Sequence, residues 1–341
     1  MVKTANNFED LAKTLLKEVS GRSRDVVERR FGIGARSKRQ TLESIGETYK
    51  ITRERVRQIE ASAINKMRLG GVFKEAESVF GELAKEFDSR GRLWKEDEVL
   101  AHFASDDAGK NYVYFFLSLG GPFERLGADT DFYHRWTSDS QSAKEAHKTI
   151  AGFCGNLGDD PLSREEIESR FRSHAESELG KKLDEKAVFS WLGVSKNVNS
   201  NNFGEWGLTS SPLVRPSGMR DFAYLVLKKH GSPLHFREVA SSIEKLASKR
   251  AHVQTVHNEL IKDERFVLVG RGLYALASWG YQPGTVKDIV RAVLEKRGPM
   301  TKDDLIKFVK QERHVKDNTI AINLQSKTHF KKLSDGRFHL A

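Results

Sequence analysis

Apolar residues recur along this chain mostly at helical spacing. Phe8, Leu11, Leu15 and Leu16 share one side of a helix predicted over residues 7–19, and Ser20-Gly21 breaks it. A second helix follows from Arg22 to Arg30. Leu42, Ile45 and Tyr49 then mark a short helix that Thr41 caps. In the next segment Val56, Ile59, Ala63 and Met67 recur at i, i+3, i+7 and i+11, with Thr52 as the cap. Only Tyr49-Lys50-Ile51 separates these last two helices, so they form a helix-turn-helix. Opposite the apolar stripe stand Glu54, Gln58, Ala61 and Asn65, with Arg55 and Arg57 on the flanks and Arg53 in the first turn. Such a helix presents base-reading chemistry: arginine pairs bidentately with guanine, glutamine pairs with adenine, and glutamate accepts from cytosine.

Beyond Gly70-Gly71 the pattern changes and repeats. Four times the chain offers a helix, a turn opening on an apolar residue, an acidic helix start, a further helix and a hairpin. The helix starts are LWKEDEV at Leu93, LSREEI at Leu162, LHFREV at Leu234 and MTKDDL at Met300, spaced 66 to 72 residues apart. Near-constant spacing with shared internal order implies tandem copies of one small fold. The clearest hairpins are FVLV and LYAL around Gly270-Arg271-Gly272, and FKKL and RFHL around Ser334-Asp335-Gly336. Looser ones are read in Phe123 to Trp136 and in Trp191 to Leu208. Three helices and a hairpin make a winged helix. The expected fold class is therefore mainly α with small β-hairpin wings. A helix-turn-helix over residues 1–72 precedes winged helices over 73–140, 141–212, 213–283 and 284–341.

Charge sharpens this picture. The 341 residues carry a formal net charge of +10, which points to an anionic partner. Residues 1–72 hold 16 lysines and arginines against nine acids, so +7 of the excess lies on the helix-turn-helix segment. In the third copy the candidate contacts are Lys249, Arg250, Gln254, His257, Asn258 and Arg271; in the fourth they are Lys316, Asn318, Lys327, Lys331 and Lys332. The weak net charge of the array limits its grip on phosphate, so some copies are expected to bind protein.

The run from Arg22 to Arg68 resembles region 4 of the sigma-70 family of bacterial transcription initiation factors. RDVVERRFGI (Arg24 to Ile33), TLESIG (Thr41 to Gly46) and TRERVRQIE (Thr52 to Glu60) carry the likeness in matching order and spacing. The resemblance implies a module that reads an upstream promoter element and docks on the flap of the RNA polymerase β subunit. Arg53, Glu54, Arg57 and Gln58 would face bases, and Arg24, Thr41 and Arg55 phosphates. Lys50 departs from the family, which usually has Gly, Asp or Asn in the turn. The third copy in turn is similar to the HARE-type winged-helix domain of the RNA polymerase delta subunit and of several chromatin and restriction proteins. Such domains are usually assigned to DNA or polymerase binding.

No GxxxxGK[ST], GxSxG or HExxH occurs, no GxGxxG opens a helix after a strand, and Gly32-Ile33-Gly34 lies outside a phosphate-cradle context. The 11 histidines lack ligand spacing, so no metal, cofactor or enzymatic activity is expected. A single cysteine, Cys154, excludes an internal disulfide. With no apolar leader and no membrane-length stretch, the expected setting is cytoplasmic and nucleoid-associated. The sequence reads as a sequence-specific binder of double-stranded promoter DNA, a sigma-like regulator or accessory factor. The alternative is a non-catalytic specificity or protein-docking subunit of another nucleic-acid-processing system, such as restriction.

Overall fold

The computed structural model describes residues 2–247, 250–281, 284–313 and 315–341. Sixteen α-helices and ten short strands are present among them, so the chain is mainly α with small β wings. They fall into two units: residues up to Ser200 with Gly204–Thr209, and Asn201–Phe203 with Ser210–Ala341.

The first unit begins with α1 (Val2–Leu15), a 3₁₀ turn, α2 (Gly21–Phe31), α3 (Leu42–Tyr49) and α4 (Arg53–Leu69). The first copy of the repeat follows as α5 (Glu77–Ser89), β1 (Leu93–Lys95), α6 (Glu96–Phe103), α7 (Asp107–Leu119), β2 (Glu124–Leu126) and β3 (Arg135–Thr137). Its three strands pair antiparallel in the order β1-β3-β2, with Trp94 opposite Trp136. The second copy has α8 (Ser140–Gly155), α9 (Arg164–Leu179), α10 (Glu185–Val194), β4 (Val198–Ser200) and β5 (Trp206–Leu208). There a single antiparallel bridge, Leu162 to Trp206, stands in for the first strand.

The second unit repeats the order. It contains α11 (Met219–His230), β6 (Leu234–His235), α12 (Phe236–Ala247), α13 (Val253–Lys262), β7 (Phe266–Gly270) and β8 (Leu273–Leu276), with sheet order β6-β8-β7. It ends with α14 (Val286–Arg297), α15 (Lys302–Glu312), α16 (Asp317–Leu324), β9 (Phe330–Lys332) and β10 (Phe338–Leu340), where Met300 bridges Phe338. The residues that opened each repeat in the sequence thus all lie at the strand position before the second helix.

The acidic helix starts have local work. Ser163 and Glu166 close a capping box on α9, and Thr301 accepts from the Asp304 amide at the start of α15. Glu96 at the start of α6 is buried, and its carboxylate accepts from Arg125 and from the Trp136 indole N–H at 3.0 Å. One hairpin expectation is corrected. Trp191 to Val194 is the last turn of α10, and the strand begins at Val198. Trp191 and Leu192 are both buried on that helix, so their apolarity reflects packing and not a strand.

Candidate nucleic-acid interface

The core of the helix-turn-helix is small. Val26 of α2, Ile45 of α3 and Val56 of α4 are fully buried together, with Leu42, Tyr49, Ile51 and Ile59 packed around them. Both predicted caps are made: the Thr41 hydroxyl accepts from the Ser44 amide and the Thr52 hydroxyl from the Arg55 amide, each at 3.2 Å. The turn depends on close approach. The Ile51 amide donates to the Gly46 carbonyl at 3.0 Å, and a β-carbon on Gly46 would sit 2.7 Å from the Ile51 carbonyl oxygen. Lys50 takes the left-handed conformation, φ 54° and ψ 44°, so a geometry usually built with Gly, Asp or Asn is formed here by lysine.

Behind the turn lies a polar knot that the sequence pattern does not announce. Asp25 accepts from Arg29 at 2.6 Å, from Arg36 at 2.8 Å and from the Tyr49 hydroxyl. Partial burial pushes the Asp25 carboxyl up, but the Tyr49, Arg36 and Arg29 hydrogen bonds outweigh it and hold the group well below the usual carboxylate range. The Arg22 guanidinium lies 4.8 Å from the centre of the Tyr49 ring. The basic loop after α2 is thereby tied to the end of α3.

All four residues expected to face bases are exposed on the first two turns of α4. They are paired with neighbours: Arg57 grips Glu54 bidentately at 2.8 Å, Arg53 reaches Glu43 of α3 at 2.9 Å, and Arg55 donates to Gln58 at 3.1 Å. Hydrogen bonding to Arg57 holds the Glu54 carboxyl below its ordinary range. Exposed pairs of this kind contribute little to stability. Of the expected phosphate-side groups, Arg24 and Thr41 are exposed on the same module, Arg24 in contact with Glu28 at 2.8 Å.

The module's other side is covered. Eight of the thirteen residues of α7 are buried. Phe115 meets Phe31 edge-on at 5.3 Å, Phe116 lies 5.4 Å from Phe8, and the Asn111 amide donates to the Gly32 carbonyl at 3.1 Å. One hydrophobic core therefore runs from α1 and α4 through α5 and α7 to Trp136. The third helix of the second copy is used in the same way. Ser190 and Trp191 of α10 donate to the Leu93 and Gly91 carbonyls at 2.6 and 3.0 Å, and the backbone amide of Tyr133 in the first copy donates to the Val194 carbonyl at 2.9 Å. In both copies the third helix is spent on internal packing. The sequence carried a signal for this: YVYFFLSL in α7 and AVFSWLGV in α10 are apolar all round, the mark of a buried helix.

The third helices of the second unit are open. On α13 only Val256 and Leu260 are buried, and Arg250, Gln254, Asn258 and Arg271 are exposed. Gln254 and Asn258 bond each other at 3.3 Å, and His257 is half-buried. Lys249 lies outside the described residues. In the fourth copy Lys316, Asn318, Lys327, Lys331 and Lys332 are all exposed, the last two on β9. Among the described residues no group of three or more His, Cys, Asp or Glu could hold a metal ion, and no helix is long and apolar enough to cross a membrane.

The exposed α4 thus follows a glycine-dependent turn and a second capped helix. Residues 15–69 match the family model Sigma-70, region 4. Over 60 residues the chain is 48% identical to the RNA polymerase sigma factor SigA of Nostoc sp. (strain PCC 7120), covering 18% of this chain and 15% of that protein. SigA1 of Synechococcus elongatus is 43% identical over 68 residues, again 18% of this chain and 17% of the relative. RpoD of Helicobacter pylori is 45% identical over 56 residues, 16% of this chain and 8% of the relative. The chain thus spans less than a fifth of the length of these relatives. Region-4 similarity ends at α4, and the repeats lie outside it.

Proposed function

We propose that this chain is a non-catalytic DNA-binding protein of bacterial transcription, a sigma-like regulator or accessory factor. Its α4 enters the major groove of promoter DNA. Arg53, Glu54, Arg57 and Gln58 read bases there, while Arg24, Thr41 and Arg55 fix register on phosphates. The observation that carries this reading is the exposed first half of α4 within a segment similar to sigma region 4. RNA polymerase is the protein partner in this account, with the β flap as the docking point.

The four repeats are winged helices, with boundaries near residues 73, 141, 213 and 284, the third of HARE type. Their roles differ. The first holds the helix-turn-helix by its third helix, the second holds the first copy by its own, and both leave the reading to α4. The fourth adds phosphate contacts through its exposed lysines. A pull-down from native lysate, with and without nuclease, tests the assignment against Arg53→Ala/Arg57→Ala. Polymerase subunits are expected with both proteins, and DNA only with the intact chain. Recovery of a nuclease and no polymerase would favour the restriction-type alternative.

A further inference from the structure

The third helix of the third copy has two apolar stripes where one would suffice. Val256 and Leu260 face the core. Val253, His257 and Ile261, at i, i+4 and i+8, form a second stripe that faces outward, with Val253 41% and Ile261 63% exposed. Leu268, on the adjoining strand β7, is 50% exposed. Ile261, Leu268, His257 and Phe236 line one open groove of about 780 Å³. The Phe236 and His257 rings stack at 4.2 Å with an interplanar angle of 21°, which stiffens its floor. Arg237 and Arg271 stand in its lining, and no carboxylate does.

Duplex DNA does not fit this chemistry. Phosphate and sugar contacts are made by charged and hydrogen-bonding groups, and two exposed aliphatic side chains beside the wing would lie against the backbone unmatched. A groove with an apolar floor and an arginine rim instead fits a short amphipathic segment whose aliphatic or aromatic anchors enter and whose carboxylates meet the arginines. The volume lies within the range of roughly 300–1,000 Å³ typical of ligand sites. We infer that the groove between α13 and the wing of the third copy is a docking site for an acidic amphipathic peptide segment of a partner protein. His257 and Arg271, which the sequence offered for DNA, belong to that site. The inference is independent of what α4 reads.

The test uses the full chain, immobilised and panned against a displayed library of random 12-residue peptides. Three proteins are compared: the intact chain, Ile261→Asp/Leu268→Asp and Arg237→Ala/Arg271→Ala. Ile261 and Leu268 are at least half exposed, and circular dichroism checks that the variants keep their helix content. The intact chain is expected to enrich peptides that carry two or three Leu, Ile or Phe at helical spacing among Asp and Glu. Each double variant should lower that enrichment at least tenfold. Affinity for duplex DNA should stay within twofold of the intact chain in Ile261→Asp/Leu268→Asp. The inference is overturned if no peptide is enriched over bare resin, if basic peptides are selected, or if the variants enrich the same peptides. A tenfold loss of duplex affinity in Ile261→Asp/Leu268→Asp also overturns it, since the face would then belong to nucleic acid. Arg53→Ala/Arg57→Ala should leave peptide enrichment intact, which separates this outcome from failure of the α4 assignment.

Discussion

Lys50 shows how a local cost is kept for geometry. A left-handed conformation costs an L-residue roughly 1–2 kcal/mol, whereas glycine adopts it freely but loses more chain entropy on folding. Lys50→Gly should therefore stabilise the helix-turn-helix by about 0.5–1 kcal/mol, read as a higher denaturation midpoint. An unchanged or lower midpoint would mean that the lysine side chain holds the turn in some other way. Thr41 and Thr52 were legible as caps because a threonine before an apolar-periodic run is a local signal. The Asp25 cluster was not, since Asp25, Arg36 and Tyr49 are far apart in sequence and meet only once α2 and α3 pack.

Among the elements, helix α8 carries a pH-sensitive contact. His147 accepts a hydrogen bond from Arg135 at 2.8 Å and lies tilted against Phe132, ring centres 4.4 Å apart. Burial, and then the Arg135 charge, lower its pKa to about 4, below the ordinary value near 6.5. With the folded value depressed, the unfolded chain binds the extra proton first. The stabilisation is therefore complete above pH 6.5 and is lost as pH falls toward 4. Discounted for the ring's partial exposure, the loss across that window is on the order of 1–2 kcal/mol. His147→Gln should flatten the dependence in urea titrations at pH 7.5 and 5, and an unchanged slope would place the sensitivity elsewhere. The helix periods of α3 and α4 were readable because each has one buried stripe. The third helices were harder: their apolar residues announced burial, but nothing in the sequence says which neighbour supplies the cover. The misread strand at Trp191 has the same origin, because a short apolar run does not distinguish a buried helix end from a strand.

At the scale of the whole molecule, repeat spacing implies four copies, and the third helices of those segments differ in burial. The first two turn their third helices inward, and the last two leave them open. Coupling of the helix-turn-helix to the first copy makes a direct prediction. Phe115→Ala, at a fully buried side chain, should cost about 3–5 kcal/mol. Hydrogen exchange should accelerate in α2 and α4 as well as in α7. Unchanged protection of α2 and α4 would mean that the module stands independently of that core. Positive charge is concentrated on residues 1–72, the segment that carries the proposed reading helix.

The central claim is that α4 reads duplex DNA, and a selection from random duplexes tests it most directly. The intact chain should enrich a short common sequence. Arg53→Ala/Arg57→Ala should relax the preference at the guanine positions those side chains meet, at about 1–3 kcal/mol for each arginine–guanine pairing removed. Arg55→Ala should weaken all sequences alike and reduce the salt dependence by about one phosphate's worth of counterion release. Enrichment of the same sequence by intact chain and double variant, or of no sequence by either, would contradict the assignment of α4 as the reading helix.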